Sequence, residues 1–209
     1  MLELRRLQIQ RNDLPLFAPL DMQVPAGQVG VVMGPSGVGK STLLDAIGGH
    51  LARDFIISGD IVLAGMDLAG QAPQARRVGV IFQDPVLFPH LNVGQNLSFG
   101  IPRSTSNRRA LVERALRDAG MAGMADRDPA TLSGGQMARV ALMRGLLAEP
   151  RALLLDEPFA KLDTALRSEI RDFTLSHIAQ AGIPALLVTH DPQDADAAAG
   201  PVVVLSSPA

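Results

Sequence analysis

Apolar residues occur along this chain in two kinds of pattern: short runs typical of strands, and longer stretches spaced as in helices. Residues 29–33 and 153–155 are almost wholly apolar, which predicts strands buried on both faces. Other short apolar or alternating runs predict strands at 7–10, 61–63, 78–82, 185–188 and 202–205. Helical spacing predicts helices at 40–51, 108–119, 135–147 and 164–181, the first of them ended by Gly48 and Gly49.

The order of these elements predicts the fold class. Strands alternate with helices over most of the chain, which indicates an α/β domain with a mainly parallel sheet flanked by helices. Residues 2–33 differ, since their pattern predicts short strands broken by turns. Residues from about 84 to 144 are mostly helical or loop. We interpret them as a helical subdomain inserted into a single domain that spans 1–209.

Composition excludes several classes of protein. The chain has 209 residues, 47% of them apolar, and a net charge of −2, so no basic surface points to nucleic acid as a partner. Cysteine is absent, which excludes disulfides and thiolate metal sites. No uncharged apolar run reaches the roughly 18 residues that a membrane span needs. The first residues have no apolar region behind their charges, so we expect no signal peptide.

A glycine-rich segment between a predicted strand and a predicted helix carries the first chemical signal. It fits the pattern G-x-x-x-x-G-K-[ST], in which backbone N–H groups wrap around phosphates. The helix start adds its positive dipole end, Lys40 can reach the β- and γ-phosphates, and the Ser41 hydroxyl can bind Mg²⁺. The alternative is an ordinary glycine-rich turn. The candidate nucleotide-binding residues are Gly34, Pro35, Ser36, Gly37, Val38, Gly39, Lys40, Ser41 and Thr42.

Two adjacent carboxylates follow the apolar run at 153–155. Ligands of open parallel sheets bind beyond the carboxyl ends of the strands, which is where Asp156 and Glu157 are predicted to lie. Asp156 is placed to hold Mg²⁺, directly or through water. Glu157 can act as the general base for an attacking water. The alternative is that Asp156 only begins a solvated loop.

The segment Leu132-Ser133-Gly134-Gly135-Gln136 precedes a predicted helix, with Ser133 as its N-cap. Alone it could be a capped helix start, but it resembles the LSGGQ signature of the ABC ATPase family. Gln83 matches the glutamine that follows a strand in that family, Lys161-Leu162-Asp163 matches its D-loop, and His190 matches its switch histidine. The resemblance covers about residues 2–205, and it implies a P-loop fold with an added antiparallel β subdomain.

The resemblance also implies a mechanism that uses ATP and Mg²⁺. ABC subunits pair head to tail and enclose ATP between the phosphate loop of one subunit and the signature of the other. Asp163 would position the facing site, and its alternative role is the N-cap of the following helix. The signature residues that would contact the partner's ATP are Ser133, Gly134, Gly135 and Gln136. The implied catalytic residues are Glu157, His190, Gln83 and Lys40, and the implied metal ligands are Ser41, Gln83 and Asp156.

One position departs from the family pattern. Family members usually stack adenine on an aromatic residue in the first strand region, where this chain has Arg11. The Arg11 guanidinium can stack on a base, and Phe17 is the alternative. Weak discrimination between bases, and therefore use of GTP, is a hypothesis that follows from this departure.

Residues 84–97, which follow Gln83, resemble the corresponding segment of importer ATPases for thiamine, molybdate, sulfate, iron, polyamines and maltose. The resemblance implies binding to a transmembrane permease on the cytoplasmic side of the inner membrane, with a solute-binding protein in the complex. Because two complete sets of motifs form when the chain pairs with itself, we expect a homodimer, and pairing with a paralogue is the alternative. An exporter motor and a soluble ABC ATPase are the alternative functions. The candidate permease contacts are Phe82, Val86, Leu87, Phe88 and Leu91, and their alternative role is in the core of the helical subdomain.

Overall fold

The computed structural model describes residues 1–206, and this part of the chain contains ten strands in two five-stranded sheets. In chain order the strands are β1 (Leu2–Arg11), β2 (Leu14–Pro15), β3 (Leu20–Val24), β4 (Val29–Met33), β5 (Phe55–Leu63), β6 (Met66–Asp67), β7 (Val78–Ile81), β8 (Ala152–Asp156), β9 (Ala185–Val188) and β10 (Val202–Val204). The helices are α1 (Lys40–Gly48), α2 (Pro73–Arg76), α3 (Val93–Gly100), α4 (Arg108–Asp118), α5 (Gly134–Leu147), α6 (Thr164–Ala181) and α7 (Pro192–Ala198).

The second sheet is parallel throughout, with the strand order β10-β4-β9-β8-β7. Every residue of β9 is buried, and so are the leucines of β8, as expected for a parallel sheet covered on both faces. The register pairs Ile81 with Leu155 and Asp156 with Val188. The loops that follow β7, β8 and β9 therefore leave the sheet at one edge.

The first sheet is antiparallel and is built around β1, which pairs with β2, β3 and β5. Strand β3 alternates buried and exposed residues, so it turns one face to the core. That core lies between the two sheets and also contains the apolar face of α1. On the other face of the parallel sheet, α6 and α7 contribute Ile170, Ile178 and Ala195 to a second core. The predicted fold class is confirmed.

A third hydrophobic cluster lies in the region 93–143 and joins α3, α4 and α5. Helix α3 starts at a capping box, since the Asn92 side chain accepts from the Gln95 backbone while the Gln95 side chain accepts from the Asn92 N–H. The cluster has its own buried residues, among them Val93, Leu97 and Leu116. The insertion limits of about 84–144, within a single domain over 1–209, stay a prediction.

Several element boundaries differ from the predicted ones. Helix α1 ends at Gly48, because Gly49 adopts a left-handed conformation with φ 86° and closes the helix, so residues 50–51 lie outside it. Strand β7 ends at Ile81, which leaves Phe82 outside the sheet. Strand β5 begins at Phe55, well before residue 61, because it pairs with the whole length of β1. The sequence did not predict α3 or α7 as separate helices, since both have eight residues or fewer.

Strand β10 forms one edge of the parallel sheet and pairs with β4 alone. Val202 and Val204 point outward and are 46% and 65% exposed. Within residues 1–206, the edge of the sheet therefore presents apolar side chains beside backbone groups that have no neighbouring strand.

Candidate functional site

The phosphate loop connects β4 to α1 at the carboxyl edge of the parallel sheet. Gly39 is the residue before α1 and has φ 106°, a conformation that strongly favours glycine. A side chain there would also lie 3.1 Å from Leu16 Cδ1, so the segment after the β1–β2 hairpin packs against this loop. Lys40 is buried, and its Nζ donates to the Gly34 and Pro35 carbonyls at 2.9 and 3.1 Å. The loop is thus closed over its own lysine.

Asp156 ends β8 and faces the start of α1. Ser41 Oγ donates to Asp156 Oδ1 at 3.3 Å, although 115 residues separate the two in the chain. Burial raises the pKa of Asp156, and the Ser41 hydrogen bond opposes this effect only in part. The pair offers hard oxygen atoms beside the phosphate loop, the kind of ligand that Mg²⁺ prefers.

Glu157 and His190 meet across the same edge of the sheet. Glu157 Oε2 lies 3.1 Å from His190 Nδ1, and Glu157 Oε1 lies 3.9 Å from Lys40 Nζ. Glu157 has φ 45°, which turns its side chain out of the strand direction toward the phosphate loop. The geometry brings together a carboxylate that can accept a proton, a lysine and an imidazole.

The cleft around the phosphate loop contains much of the predicted nucleotide-binding set. It is lined by Ser36, Gly37, Gly39, Lys40, Ser41, Thr42 and Glu157. Pro35 is exposed beside it, and Val38 is buried in the core beneath it. Gln83 is exposed two residues beyond β7, at the edge that also carries Asp156. Its side chain reaches none of the predicted catalytic residues in the part of the chain that the structure describes.

Arg11 is the last residue of β1. Its Nε lies 2.8 Å from Asp54 Oδ2, and its guanidinium carbon lies 5.3 Å from the centroid of the Phe55 ring. Phe17, the alternative candidate for base stacking, is fully buried, so its ring is not available at the surface. The alternative that Phe17 stacks on the base was therefore wrong. The sequence did not reveal this, because the burial of the Phe17 ring results from packing between the two sheets. Arg11 remains the candidate.

The signature residues form the N-terminus of α5. Ser133 and Gln136 make a capping box, in which Ser133 Oγ accepts from Gln136 N at 3.3 Å and Gln136 Oε1 accepts from Ser133 N at 3.0 Å. Gly134 is exposed, whereas a side chain on Gly135 would lie 2.7 Å from Leu166 Cδ1. Gly135 therefore lets α5 approach α6 closely. Among residues 1–206, the cleft around the phosphate loop is lined by no signature residue.

Asp163 is the N-cap of α6, where its side chain accepts from Leu166 N at 3.0 Å. Two residues earlier, Lys161 forms an ion pair with Asp84, the residue after Gln83. This pair gives Lys161 a structural role that the sequence did not suggest. It links the D-loop to the loop that follows β7.

A family model described as ABC transporter matches residues 17–160, more than half of the chain. This chain belongs to the ABC transporter family. The ABC protein is 46% identical over 198 residues to the thiamine import ATP-binding protein ThiQ of Cereibacter sphaeroides, covering 93% of this chain and 84% of the relative. It is 42% identical over 199 residues to the uncharacterized ABC transporter ATP-binding protein YnjD of Escherichia coli K12, covering 94% and 92% of the two chains.

Solved structures agree with this assignment. The ABC protein matches cbiO1 from Clostridium perfringens, part of the ABC transporter complex cbiONQ, with a TM-score of 0.86 at 30% identity, over 99% of this chain and 84% of that one. It also matches a dimeric ATP-binding cassette in a post-hydrolysis state bound to ADP and Pi, with a TM-score of 0.78 at 26% identity, over 99% and 95% of the two chains. The chain is an ABC-type ATPase that binds ATP, and its predicted resemblance to importer ATPases is confirmed.

The five predicted permease contacts of this ABC protein occupy different environments. Phe82 and Val86 are 56% and 57% exposed, and they line a shallow groove together with the partly buried Phe88. Leu87 packs against the cluster of the helical region, as its alternative interpretation held. Leu91 is partly buried and does not line the groove. The described helices include none with the length and apolarity that crossing a bilayer requires.

Sequence reasoning missed the residues that shape this groove. Phe99 is 65% exposed and its ring centroid lies 4.6 Å from that of Phe88. Arg144 lies over the Phe88 ring at 5.0 Å and its Nη2 donates to the Val86 carbonyl at 2.6 Å. Asn96 is fully buried and binds the backbone of Phe88 on both its N–H and its carbonyl side. In the sequence, Phe99 could be noted only as an apolar residue near the predicted permease contacts. The contacts of Arg144 and Asn96 with this loop depend on tertiary packing and have no signal in the sequence.

Proposed function

We propose that this ABC ATPase is the motor subunit of a bacterial solute importer, acting as a homodimer on the cytoplasmic side of the inner membrane through a separate permease. One observation carries the proposal. Glu157, His190 and Lys40 converge at one edge of the sheet, while the exposed Ser133 and Gly134 lie outside the cleft around the phosphate loop. Each subunit then offers two half-sites, which a head-to-tail pair completes.

ATP binds with its phosphates along the loop 34–42, where backbone N–H groups and the start of α1 favour anions. Lys40 places its positive charge at the β- and γ-phosphates. Ser41, Asp156 and Gln83 supply the oxygen ligands that fit Mg²⁺, and the Ser41–Asp156 pair at 3.3 Å supports this assignment. A Mg²⁺ ion held by these residues would neutralise negative charge on the phosphates.

Glu157 accepts a proton from the water that attacks the γ-phosphate, and Gln83 orients that water. His190 holds the γ-phosphate and stabilises the charge that develops on it. The distance of 3.1 Å between Glu157 Oε2 and His190 Nδ1 supports these two roles at one site. Hydrolysis releases ADP and phosphate.

The two subunits of the dimer share each nucleotide. Ser133, Gly134, Gly135 and Gln136 contact the γ-phosphate of the partner's ATP, as a helix N-terminus with bare N–H groups allows. Asp163 lies at the start of the neighbouring helix and positions the facing site across the interface. Because both faces need the same ATP, pairing depends on nucleotide.

Arg11 stacks on the nucleotide base, with its guanidinium supported from behind by Phe55 and held by Asp54. A guanidinium that stacks on a base without hydrogen bonds to the base edge discriminates little between adenine and guanine. The subunit therefore accepts GTP as well as ATP.

The permease docks on the groove beside the loop 85–91 through Phe82, Val86 and Phe88, and the predicted contacts Leu87 and Leu91 lie outside the groove lining. Exposed Phe82 and Val86 give this groove an apolar surface of the kind that receives a partner helix. A solute-binding protein completes the complex. ThiQ and the iron import relative FbpC of Mesorhizobium japonicum, which is 42% identical over 98% of this chain and 57% of its own length, are named as import subunits.

The test uses the variant Glu157→Gln, which should bind ATP and hydrolyse it slowly. The tagged variant is trapped with ATP and Mg²⁺ in cells of its own source, and the proteins that co-purify from gently solubilised membranes are identified. Val86→Asp in the same background is the matched control, since it changes the groove without touching the nucleotide cleft. Recovery of a multi-span permease with Glu157→Gln alone would support the importer. Recovery only with ribosomes or DNA in the soluble fraction would reject import and leave the ATPase activity standing.

A further inference from the structure

Arg167 lies in the first turn of α6, four residues after the N-cap Asp163. A cation at this end of a helix faces the positive pole of the dipole, so helix stability does not explain it. Its guanidinium is mostly buried and its three nitrogens all donate to groups outside the helix. Two of those acceptors lie in the turn after β8, and the third lies after β9.

The first two acceptors belong to the turn that carries Glu157. Arg167 Nε donates to the Phe159 carbonyl and Arg167 Nη2 to the Ala160 carbonyl, both at 3.1 Å. The same turn is closed by a bond from Ala160 N to the Glu157 carbonyl at 3.2 Å. Arg167 therefore holds the backbone two and three residues beyond Glu157.

The third acceptor is Asp191, directly after His190. Arg167 Nη1 donates to Asp191 Oδ2, while Asp191 Oδ1 accepts from Gln193 N at 2.9 Å and caps α7. The Gln193 N–H and the Arg167 guanidinium together lower the pKa of Asp191, so this carboxylate is charged at neutral pH. The backbone next to His190 is thus fixed to the same guanidinium as the turn after Glu157.

These contacts form a closed circuit. It runs from Glu157 through its turn to Arg167, from there to Asp191, and back through His190 to Glu157 at 3.1 Å. We propose that Arg167 is a positioning residue that sets the distance between Glu157 and His190 for hydrolysis. The inference rests on the proposed roles of those two residues. It adds to them a single side chain that joins the loops of both.

Arg171, one turn further along α6, provides a matched comparison. It donates to Asp194 Oδ1 at 3.2 Å, and Asp194 Oδ2 accepts from Thr189 Oγ1 at 2.8 Å. Arg171 therefore supports the same helix α7 through an ion pair that is even more buried. It makes no bond to the turn after Glu157 in the described chain, so it reaches only the His190 side of the circuit, indirectly through Asp194 and Thr189.

The first measurement compares steady-state hydrolysis by Arg167→Met, Arg167→Lys and Arg171→Met. Arg167→Met should lower kcat about tenfold or more, because small displacements of catalytic groups are costly, and should leave KM for ATP within about twofold. Arg167→Lys keeps the charge but cannot reach all three acceptors, so its kcat should fall between those of wild type and Arg167→Met. Arg171→Met should lower the melting temperature while its kcat stays within about twofold of wild type.

The second measurement follows the imidazole NMR signals of His190 in the absence of ATP hydrolysis. The chain has four histidines, so their imidazole NMR signals can be assigned with a His190→Gln variant. Arg167→Lys should shift the His190 signals, and Arg171→Met, which reaches this loop only through Asp194 and Thr189, should shift them less. In a double-mutant cycle, the effect of Arg167→Met on kcat should largely vanish in a His190→Ala background.

Three results would overturn the positioning role. They are an unchanged kcat in Arg167→Met, equal losses of kcat in the Arg167 and Arg171 variants, and additive effects of Arg167→Met and His190→Ala. If wild-type protein failed to hydrolyse ATP, the proposed catalytic roles would fall instead. The NMR comparison would still decide whether Arg167 fixes His190. If Arg167→Met did not fold, Arg167→Lys would carry both measurements.

Discussion

The phosphate loop and the loop at 85–91 lie at neighbouring parts of the molecule but are held in different ways. The phosphate loop closes on itself, since Lys40 binds carbonyls five and six residues earlier in the chain. The other loop is held from outside, by Asn96 on α3 and by Arg144, which lies 58 residues after Val86. One loop owes its shape to a contiguous segment, and the other owes its shape to two helices packed beside it.

Because of this difference, we expect nucleotide binding and hydrolysis to be separable from the proposed contact with the permease. A change near the phosphate loop should alter nucleotide binding or hydrolysis and leave the helical region intact. A change in α3, or in α5 near Arg144 and away from the signature residues at its start, should alter the groove at Phe82 and Val86 and leave nucleotide binding and hydrolysis unchanged. Four variants test how far this separation holds.

The largest effect is expected for Glu157→Gln. Removing a general base typically costs about 10²–10⁴-fold in rate, so kcat should fall by at least about 100-fold. ATP binding, measured by equilibrium titration, should persist because Lys40 and the loop backbone are unchanged. Glu113→Gln, at an exposed position on α4, should hydrolyse ATP at the wild-type rate. If Glu157→Gln kept half of the wild-type rate, another group would have to accept the proton.

The second variant, Asn96→Ala, acts on the other loop. Asn96 is fully buried, and its side chain donates to the carbonyls of Phe88 and Leu91 and accepts from the Phe88 N–H. Leaving those groups unpaired should lower the free energy of unfolding by about 1–3 kcal/mol in urea denaturation. ATP affinity should not change. The exposed amide variant Gln180→Ala should have wild-type stability, and a loss of ATP affinity in Asn96→Ala would contradict the separation.

The third variant tests the base contact. Arg11→Ala removes a stacking plane, and a cation–π-type contact of about 0.5–1 kcal/mol corresponds to a rise of about two- to fivefold in KM. The rise should be equal for ATP and GTP, and the unchanged protein should prefer ATP by less than about a hundredfold in kcat/KM. Arg5→Ala, on the same strand, should change neither KM. A hundredfold preference for ATP would reject weak base discrimination.

The smallest expected effect is on stability. Burial raises the pKa of Asp156, so keeping this carboxylate ionised in the folded state opposes folding once the pH is above its unfolded pKa. Asp156→Asn should therefore melt at a higher temperature than wild type at pH 7. The difference should vanish below the ordinary aspartate pKa of about 3.9, where both states are protonated. Asp118→Asn, at an exposed position, is the control, and a lower melting temperature for Asp156→Asn at pH 7 would contradict the prediction.

The parts predicted from the sequence were those with local causes. The buried strands β8 and β9 and the cap at Ser133 depend on runs of residues close together in the chain, and the structure has all three. Arg144 and Arg167 escaped prediction because their acceptors are loop carbonyls far away in the sequence or on another element. The sequence also allows Phe17 to stack on the nucleotide base, but packing between the two sheets buries its ring fully.

The outward valines of β10 have a practical consequence for purification. A strand edge with free N–H and C=O groups and apolar side chains is a template for pairing with another chain. At high protein concentration, two copies can associate edge to edge through Val202 and Val204. Such a pair would elute from a sizing column at the same apparent mass as the nucleotide-dependent dimer. A lysine at Val204 would block such aggregation and leave any dimer that still forms with ATP as the one of interest.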